Sequence, residues 1–269
     1  MRKARLLPFL GFGLAIAWAL KSFYSHAGAE ELDWLLAPTC RLTGLLSGIG
    51  FEKETGAGWI SHTHRMIVGP ACSGMNFLII SFLTIFFSSV TRVRSPAARG
   101  LCLGASLVIA WSLTILTNAA RILLAVRLHS ADIYGGIVTP ARVHLAAGTF
   151  IYCLSLILAY LVVERFFGRW QREEDARRAP SIMVPVGWYL GITVGLPLAN
   201  RAWQHDSGRF LEHTVLVVSV CLLVALAFLG ARAAWSGRRR GRQSEQSNRK
   251  RTAAAVLELA AVRITTEEP

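Results

Sequence analysis

The chain of 269 residues is 53% hydrophobic and only 17% charged, whereas an ordinary soluble domain carries about 25% charged residues. With a mean hydropathy of +0.44, it reads as all-α: a polytopic integral membrane helical bundle of about six to eight transmembrane helices, which excludes the soluble classes. The net charge of +13 has the right sign for nucleic acid, but its placement beside helix ends argues against that partner.

In chain order, Leu6–Leu20 is the first apolar run. Arg2, Lys3 and Arg5 precede it, as they would in a signal peptide, but no small-x-small cleavage site and soluble domain follow, so it reads as a retained helix. Leu35–Gly50 is a weaker run, broken by Pro38, Arg41 and glycines, and reads as an interfacial or re-entrant piece. Phe77–Val90, Leu101–Thr117, Leu145–Phe167, Ile182–Ala199 and Thr214–Gly230 are then near the roughly 20 residues a span requires. The tail after Gly237 is basic and then Ala-rich, and reads as a loosely ordered cytoplasmic extension. Five cysteines are an odd count, and four lie in or beside apolar runs, so no disulfide framework is expected.

Of the 29 Lys and Arg residues, 3 precede the first run, 3 lie in Thr91–Gly100, 5 in Arg165–Arg178 and 8 in Arg232–Arg251, together 19. Regular alternation puts all four segments on one side, and the excess of cations marks that side as cytoplasmic. Six spans with both termini inside follow. The same alternation brings the start of the third run, the end of the next and the start of the one after to the opposite surface. Cys72, Arg121 and His144 stand at those three ends.

Cys72 lies in Gly69-Pro-Ala-Cys-Ser-Gly-Met-Asn-Phe77, among small residues where a loop enters a membrane helix. The first free N–H groups of that helix favour a thiolate. A histidine in reach takes the thiol proton and returns it to a leaving amine. An arginine stays charged, so it stabilises a thiolate or an oxyanion but is no base. This trio suits acyl transfer on a peptide. Asn118, one helical turn before Arg121, can orient it or donate to the oxyanion, and Gly74 would let a substrate approach. Arg127 and Arg142 compete with Arg121 by position and read as surface arginines.

Ala71-Cys-Ser-Gly74 opening one membrane helix, Asn118-Ala-Ala-Arg121-Ile at the end of the next, and His144 beginning the following one resemble the exosortase/archaeosortase family of membrane cysteine transpeptidases. The resemblance covers Gly69–Phe167. It implies Cys72 as nucleophile, His144 as acid/base and Arg121 as stabilising cation; Asn118, Ser73 and Gly74, beside them in sequence, read as supporting residues. It also implies partner proteins that end in a short motif, a transmembrane helix and a basic tail, cleaved at the outer face of the cytoplasmic membrane. The expected organisation is 1–68, an N-terminal helix with an interfacial segment; 69–168, the catalytic core; 169–235, a further helix pair; and 236–269, the tail.

No cofactor is called for. His62-Thr-His64 would share one face of a strand as two metal ligands, but no third ligand lies near in sequence, and no metal is expected. Trp59, His129, Tyr134, His205 and His213 read as interfacial residues. Two other classes stay open: a non-enzymatic envelope assembly or scaffold protein, which would not need the thiol, and a small-solute transporter, which would need ionisable groups mid-span where the runs carry almost none.

Overall fold

The computed structural model describes residues 6–129, 134–136, 138–168, 181–204 and 206–234. In order they form α1 (Leu7–His26), α2 (Asp33–Ser47), strands β1 (Glu52–Glu54), β2 (Gly58–Ser61) and β3 (Met66–Val68), then α3 (Met75–Val90), α4 (Pro96–His129) and α5 (Pro140–Gly168). Then come α6 (Met183–Ala199), which includes the π-helical segment Gly191–Gly195, and α7 (Ser207–Ala234). The tail 236–269, the cations Arg2, Lys3 and Arg5, those from Arg169 to Arg178, and His205 lie outside the described residues. Contacts divide the chain into Met1–Leu222 and Leu223–Pro269; the packing below is that of the first unit.

Among the described residues five helices are long and apolar enough to cross a membrane: α1, Pro70–Val90, Pro96–Leu128, α5 and α7. The fold is thus that of a multi-pass, all-α membrane bundle. The expected sixth span, α6, is shorter, at about 25 Å of helix against a hydrocarbon core of about 30 Å.

Helix α3 is the centre. Its sequence is apolar all round, from Phe77 through Phe86, which is the signature of a helix enclosed on every side. Accordingly 67% of its apolar window is buried, against 11% for α1 and 33% for α5. Helices α1, α4, α5 and α6 pack around it. Between lipid-facing helices the hydrophobic effect offers little, so small residues at the contact decide the fit. Gly13 and Ala17, one turn apart on α1, are both buried; a Cβ on Gly13 would stand 2.5 Å from Cε1 of Phe86.

The weak run Leu35–Gly50 becomes the 15-residue helix α2, too short to span, laid against α4 and β2. Pro38 lies inside it and has no N–H to donate to the carbonyl of Trp34; that carbonyl accepts instead from Nε1 of Trp111 on α4, at 3.4 Å. Gly48 ends the helix at φ 75°, its N–H bonded to Gly44 O at 2.8 Å. The following strands form an antiparallel sheet in the order β1-β2-β3, with Lys53 opposite Trp59 and Ile60 opposite Ile67. Asp33 ties the sheet to α2, accepting from Nε1 of Trp59 at 2.8 Å and from Nζ of Lys53 at 2.9 Å.

Two expectations are corrected. His62 and His64 occupy the turn between β2 and β3, not a strand, so period-two geometry does not aim them together; His62 Nε2 instead lies 3.7 Å from Glu52 Oε2. The helix expected over Leu101–Thr117 runs from Pro96 to His129. Asn118-Ala-Ala-Arg-Ile-Leu-Leu-Ala is mostly strong helix former, and nothing in it stops the helix.

The helices alternate in direction. At one end Lys21 of α1 donates to Asn76 near the start of α3, at 2.9 Å, and Arg142 near the start of α5 pairs with Glu212 near the start of α7. At the other, the Arg99 guanidinium lies over Phe9 at 5.7 Å, and Arg92 pairs with Glu164 near the end of α5. Arg92, Arg94 and Arg99 follow α3 there, while the Cys72 end of α3 belongs to the first set.

Candidate functional site

The approach to α3 is built for exposure of a thiol. Pro70–Cys72 form a single 3₁₀ turn, with Cys72 N–H bonded to Gly69 O at 2.8 Å and Ser73 N–H to Pro70 O at 3.1 Å. Gly74 then caps α3 at φ 73°, a conformation that favours glycine. A Cβ there would stand 3.0 Å from Cγ2 of Thr114 and 3.5 Å from Cγ of Asn118, so the turn sits hard against α4. Ser73 is buried, and its Oγ accepts from Met75 N–H at 3.4 Å; it steadies the helix start. Cys72 itself is half-buried.

Asn118, fully buried on α4, faces this turn and donates through Nδ2 to the carbonyl of Cys72. Its Oδ1 accepts from the Tyr152 hydroxyl at 3.0 Å and from Nη1 of Arg121 at 3.5 Å. Nη1 of Arg121 also donates to the Tyr152 oxygen at 2.6 Å, while its Nη2 lies 3.1 Å from Nε2 of His144. The Tyr152 ring stacks on Phe77 of α3, centroids 4.6 Å apart and planes at 12°, and the Arg121 guanidinium lies 5.4 Å from the same ring's centroid. Gly148 on α5 makes room for the arginine: a Cβ there would meet Arg121 Cδ and Nε at 3.3 Å.

Cys72, Arg121 and His144 line one cavity of about 1000 Å³. Its walls are apolar at Leu46, Ile67 and Val126, its other basic groups are His64, Arg65 and Arg127, and no Asp or Glu lines it among the described residues. Such a cavity favours anionic groups, including a thiolate or an oxyanion. Arg121 lies within electrostatic range of Cys72. No hydrogen bond joins the Cys72 thiol to His144 or Arg121 among the described residues; the arginine and the histidine hold each other beside it. Cys40, buried in α2, is also near. Burial foremost, with Cys72 and Asp33 as neighbours, pushes its thiol up to about 12, so Cys40 stays protonated at neutral pH.

The fold therefore brings together Cys72, Arg121, His144 and Asn118 from three helices. Ser73 and Gly74 shape the turn without facing the cavity's chemistry. Of the competing arginines, Arg142 pairs with Glu212, and Arg127 lines the cavity. Among the described residues no three His, Cys, Asp or Glu side chains gather as a metal site would need. Tyr152 was not among the expected residues; a phenol within the long apolar stretch of α5 was the available signal. No family model, no curated protein and no solved structure matches the chain. Fold and composition define the class, an all-α multi-pass membrane protein, and the site's chemistry carries the functional reading.

Proposed function

We propose that the chain is a membrane-embedded cysteine protease or transpeptidase of the exosortase type, acting on exported proteins at the outer face of the cytoplasmic membrane. The observation that carries this reading is that Cys72, Arg121 and His144 line one cavity, with Arg121 and His144 hydrogen-bonded to each other. The orientation rests on the cations Arg92, Arg94 and Arg99 at the opposite end of the bundle.

A substrate's transmembrane helix docks laterally and presents the peptide bond beside it at the cavity. In the resting site Nε2 of His144 holds an Arg121 N–H, so its lone pair is engaged. As Arg121 turns to the substrate carbonyl, that lone pair is released to take the Cys72 proton. Sγ then forms its bond to the carbonyl carbon, and the carbonyl electrons become an oxyanion held by the guanidinium. Collapse breaks the C–N bond, and His144 returns the proton to the departing amine, leaving a thioester on Cys72. An acceptor amine or water, deprotonated by His144, attacks the thioester and restores the thiol.

The test is Cys72→Ala in the native host. Expression should be intact while exported proteins ending in an apolar helix and a basic tail accumulate uncleaved. Normal processing by this variant overturns the reading.

A further inference from the structure

The carbonyl of Cys72, the amide of Asn118 and the guanidinium of Arg121 are tied together through one atom, the hydroxyl oxygen of Tyr152. That oxygen accepts from Arg121 Nη1 at 2.6 Å and donates to Asn118 Oδ1 at 3.0 Å. Neither exchange is interchangeable: guanidinium only donates, and the amide oxygen only accepts, so the hydroxyl proton must point at Asn118. This fixes the Asn118 amide with its N–H₂ toward the Cys72 carbonyl. It also occupies Nη1 of Arg121 and leaves Nη2 aimed at His144.

The ring that carries this hydroxyl is itself fixed. Phe77, five residues beyond Cys72, stacks on it nearly parallel. The stem of Arg121 passes close to Gly148, one turn before Tyr152 on α5, where a Cβ would meet its Cδ and Nε at 3.3 Å. Thus the phenol measures the distance between α3, α4 and α5 at the height of the thiol. We infer that Tyr152 is a positioning residue: it sets the guanidinium of Arg121 relative to Cys72 and His144 while locking the turn that bears the thiol. This rests on the reading of Cys72 as a nucleophile supported by Arg121, and adds to it a residue that touches no reacting atom.

Among the described residues, the charged and titratable groups about Cys72 are Cys40 from α2, Lys21 and Tyr24 from α1, Arg121 and Arg127 from α4, His144 and Tyr152 from α5, Tyr189 from α6, and His64 and Arg65 from the β2–β3 turn. Tyr152→Phe keeps the Phe77 stack and leaves every other one of these groups in place. Only the hydroxyl is lost.

The experiment is alkylation of the purified full chain in lipid nanodiscs with iodoacetamide across a pH series, read at Cys72 by peptide mass spectrometry. Tyr152→Phe should slow Cys72 alkylation at neutral pH by about tenfold, the scale of one hydrogen bond to a charged group. The midpoint of the profile should rise by about one unit, toward that of Arg121→Ala, with a fold that still melts cooperatively and no less stably than Asn118→Ala. A Tyr152→Phe profile superimposable on wild type overturns the inference while leaving Cys72 as nucleophile. If Tyr152→Phe does not fold, 3-fluorotyrosine at position 152 preserves the shape and weakens the phenol oxygen as acceptor. The midpoint should then rise, and an unmoved one overturns the inference. A wild-type Cys72 no more reactive than free cysteine fails the parent reading and this one with it, a result distinct from the first.

Discussion

Nη2 of Arg121 lies 3.1 Å from Nε2 of His144. Because guanidinium has no lone pair, the imidazole nitrogen is the acceptor, and the neutral ring carries its proton on Nδ1. In the proposed reaction this pair must separate before either acts, Nη2 leaving His144 while Nη1 stays on the Tyr152 oxygen, so the two arms of the fork have different tasks. Arg121→Lys keeps the charge and loses the fork. Its processing rate should fall to within about tenfold of Arg121→Ala, itself reduced about a hundredfold or more. Quantifying uncleaved substrate in both variants checks this; near-normal processing by the lysine variant would show that charge alone suffices.

Gly148 has no side chain to take part in chemistry, yet its missing Cβ defines the slot for Arg121. Gly148→Leu should displace the guanidinium and abolish processing although Cys72, Arg121 and His144 are all present. The companion measurement is the melting temperature in detergent, which should fall far less than the activity.

Asn118 can be divided by substitution. Asn118→Asp keeps an acceptor for Tyr152 and Arg121 but has no N–H for the Cys72 carbonyl. Asn118→Ala loses both and leaves polar groups unpaired, at a cost of about 1–3 kcal/mol. Thermal melts should therefore rank wild type above Asp and Asp above Ala. Hydrogen exchange at Cys72 and Ser73 should rise in both variants.

The link between α2 and the sheet has a pH window. Partial burial opposes ionisation of Asp33, but the hydrogen bonds from Lys53 and Trp59, with the charges of Lys53 and Arg41, outweigh it, so its carboxyl titrates below the ordinary range. A depressed carboxyl stabilises above its unfolded value and loses that contribution as pH falls through the folded one. Lys53 is raised chiefly by its hydrogen bond to Asp33; its contribution is present below the unfolded value and is lost as pH rises through the folded one. Limited proteolysis between Gly50 and Gly69 should be slow at neutral pH and accelerate at both acid and strongly alkaline pH. Asp33→Asn should raise the neutral rate and remove the acid limb.

The meeting of Cys72, Arg121 and His144 was legible because successive long apolar helices alternate in direction. A helix that goes in and one that comes out must place Cys72, Arg121 and His144 at one end, whatever the packing. Apolar run length also placed α3 and α5 closely. Three features were hidden for physical reasons. Arg121 ends an apolar run but not a helix, so α4 continues past it to His129. The sheet over Glu52–Val68 has strands of only three or four residues, which leave almost no period-two pattern. Tyr152 looks like any aromatic in an apolar stretch; its meaning comes from Arg121 and Asn118, 31 and 34 residues away, and no local pattern encodes that meeting.

The central claim, that Cys72 becomes acylated, is tested most directly by trapping the thioester. The tagged full chain is recovered from native membranes after an acid quench, treated with neutral hydroxylamine, and the released acyl groups and the Cys72 peptide are read by mass spectrometry. The account predicts a hydroxylamine-labile peptide adduct on Cys72 in wild type and none in Cys72→Ala. A wild-type chain with intact processing and no labile adduct, or the same adduct in Cys72→Ala, would contradict it.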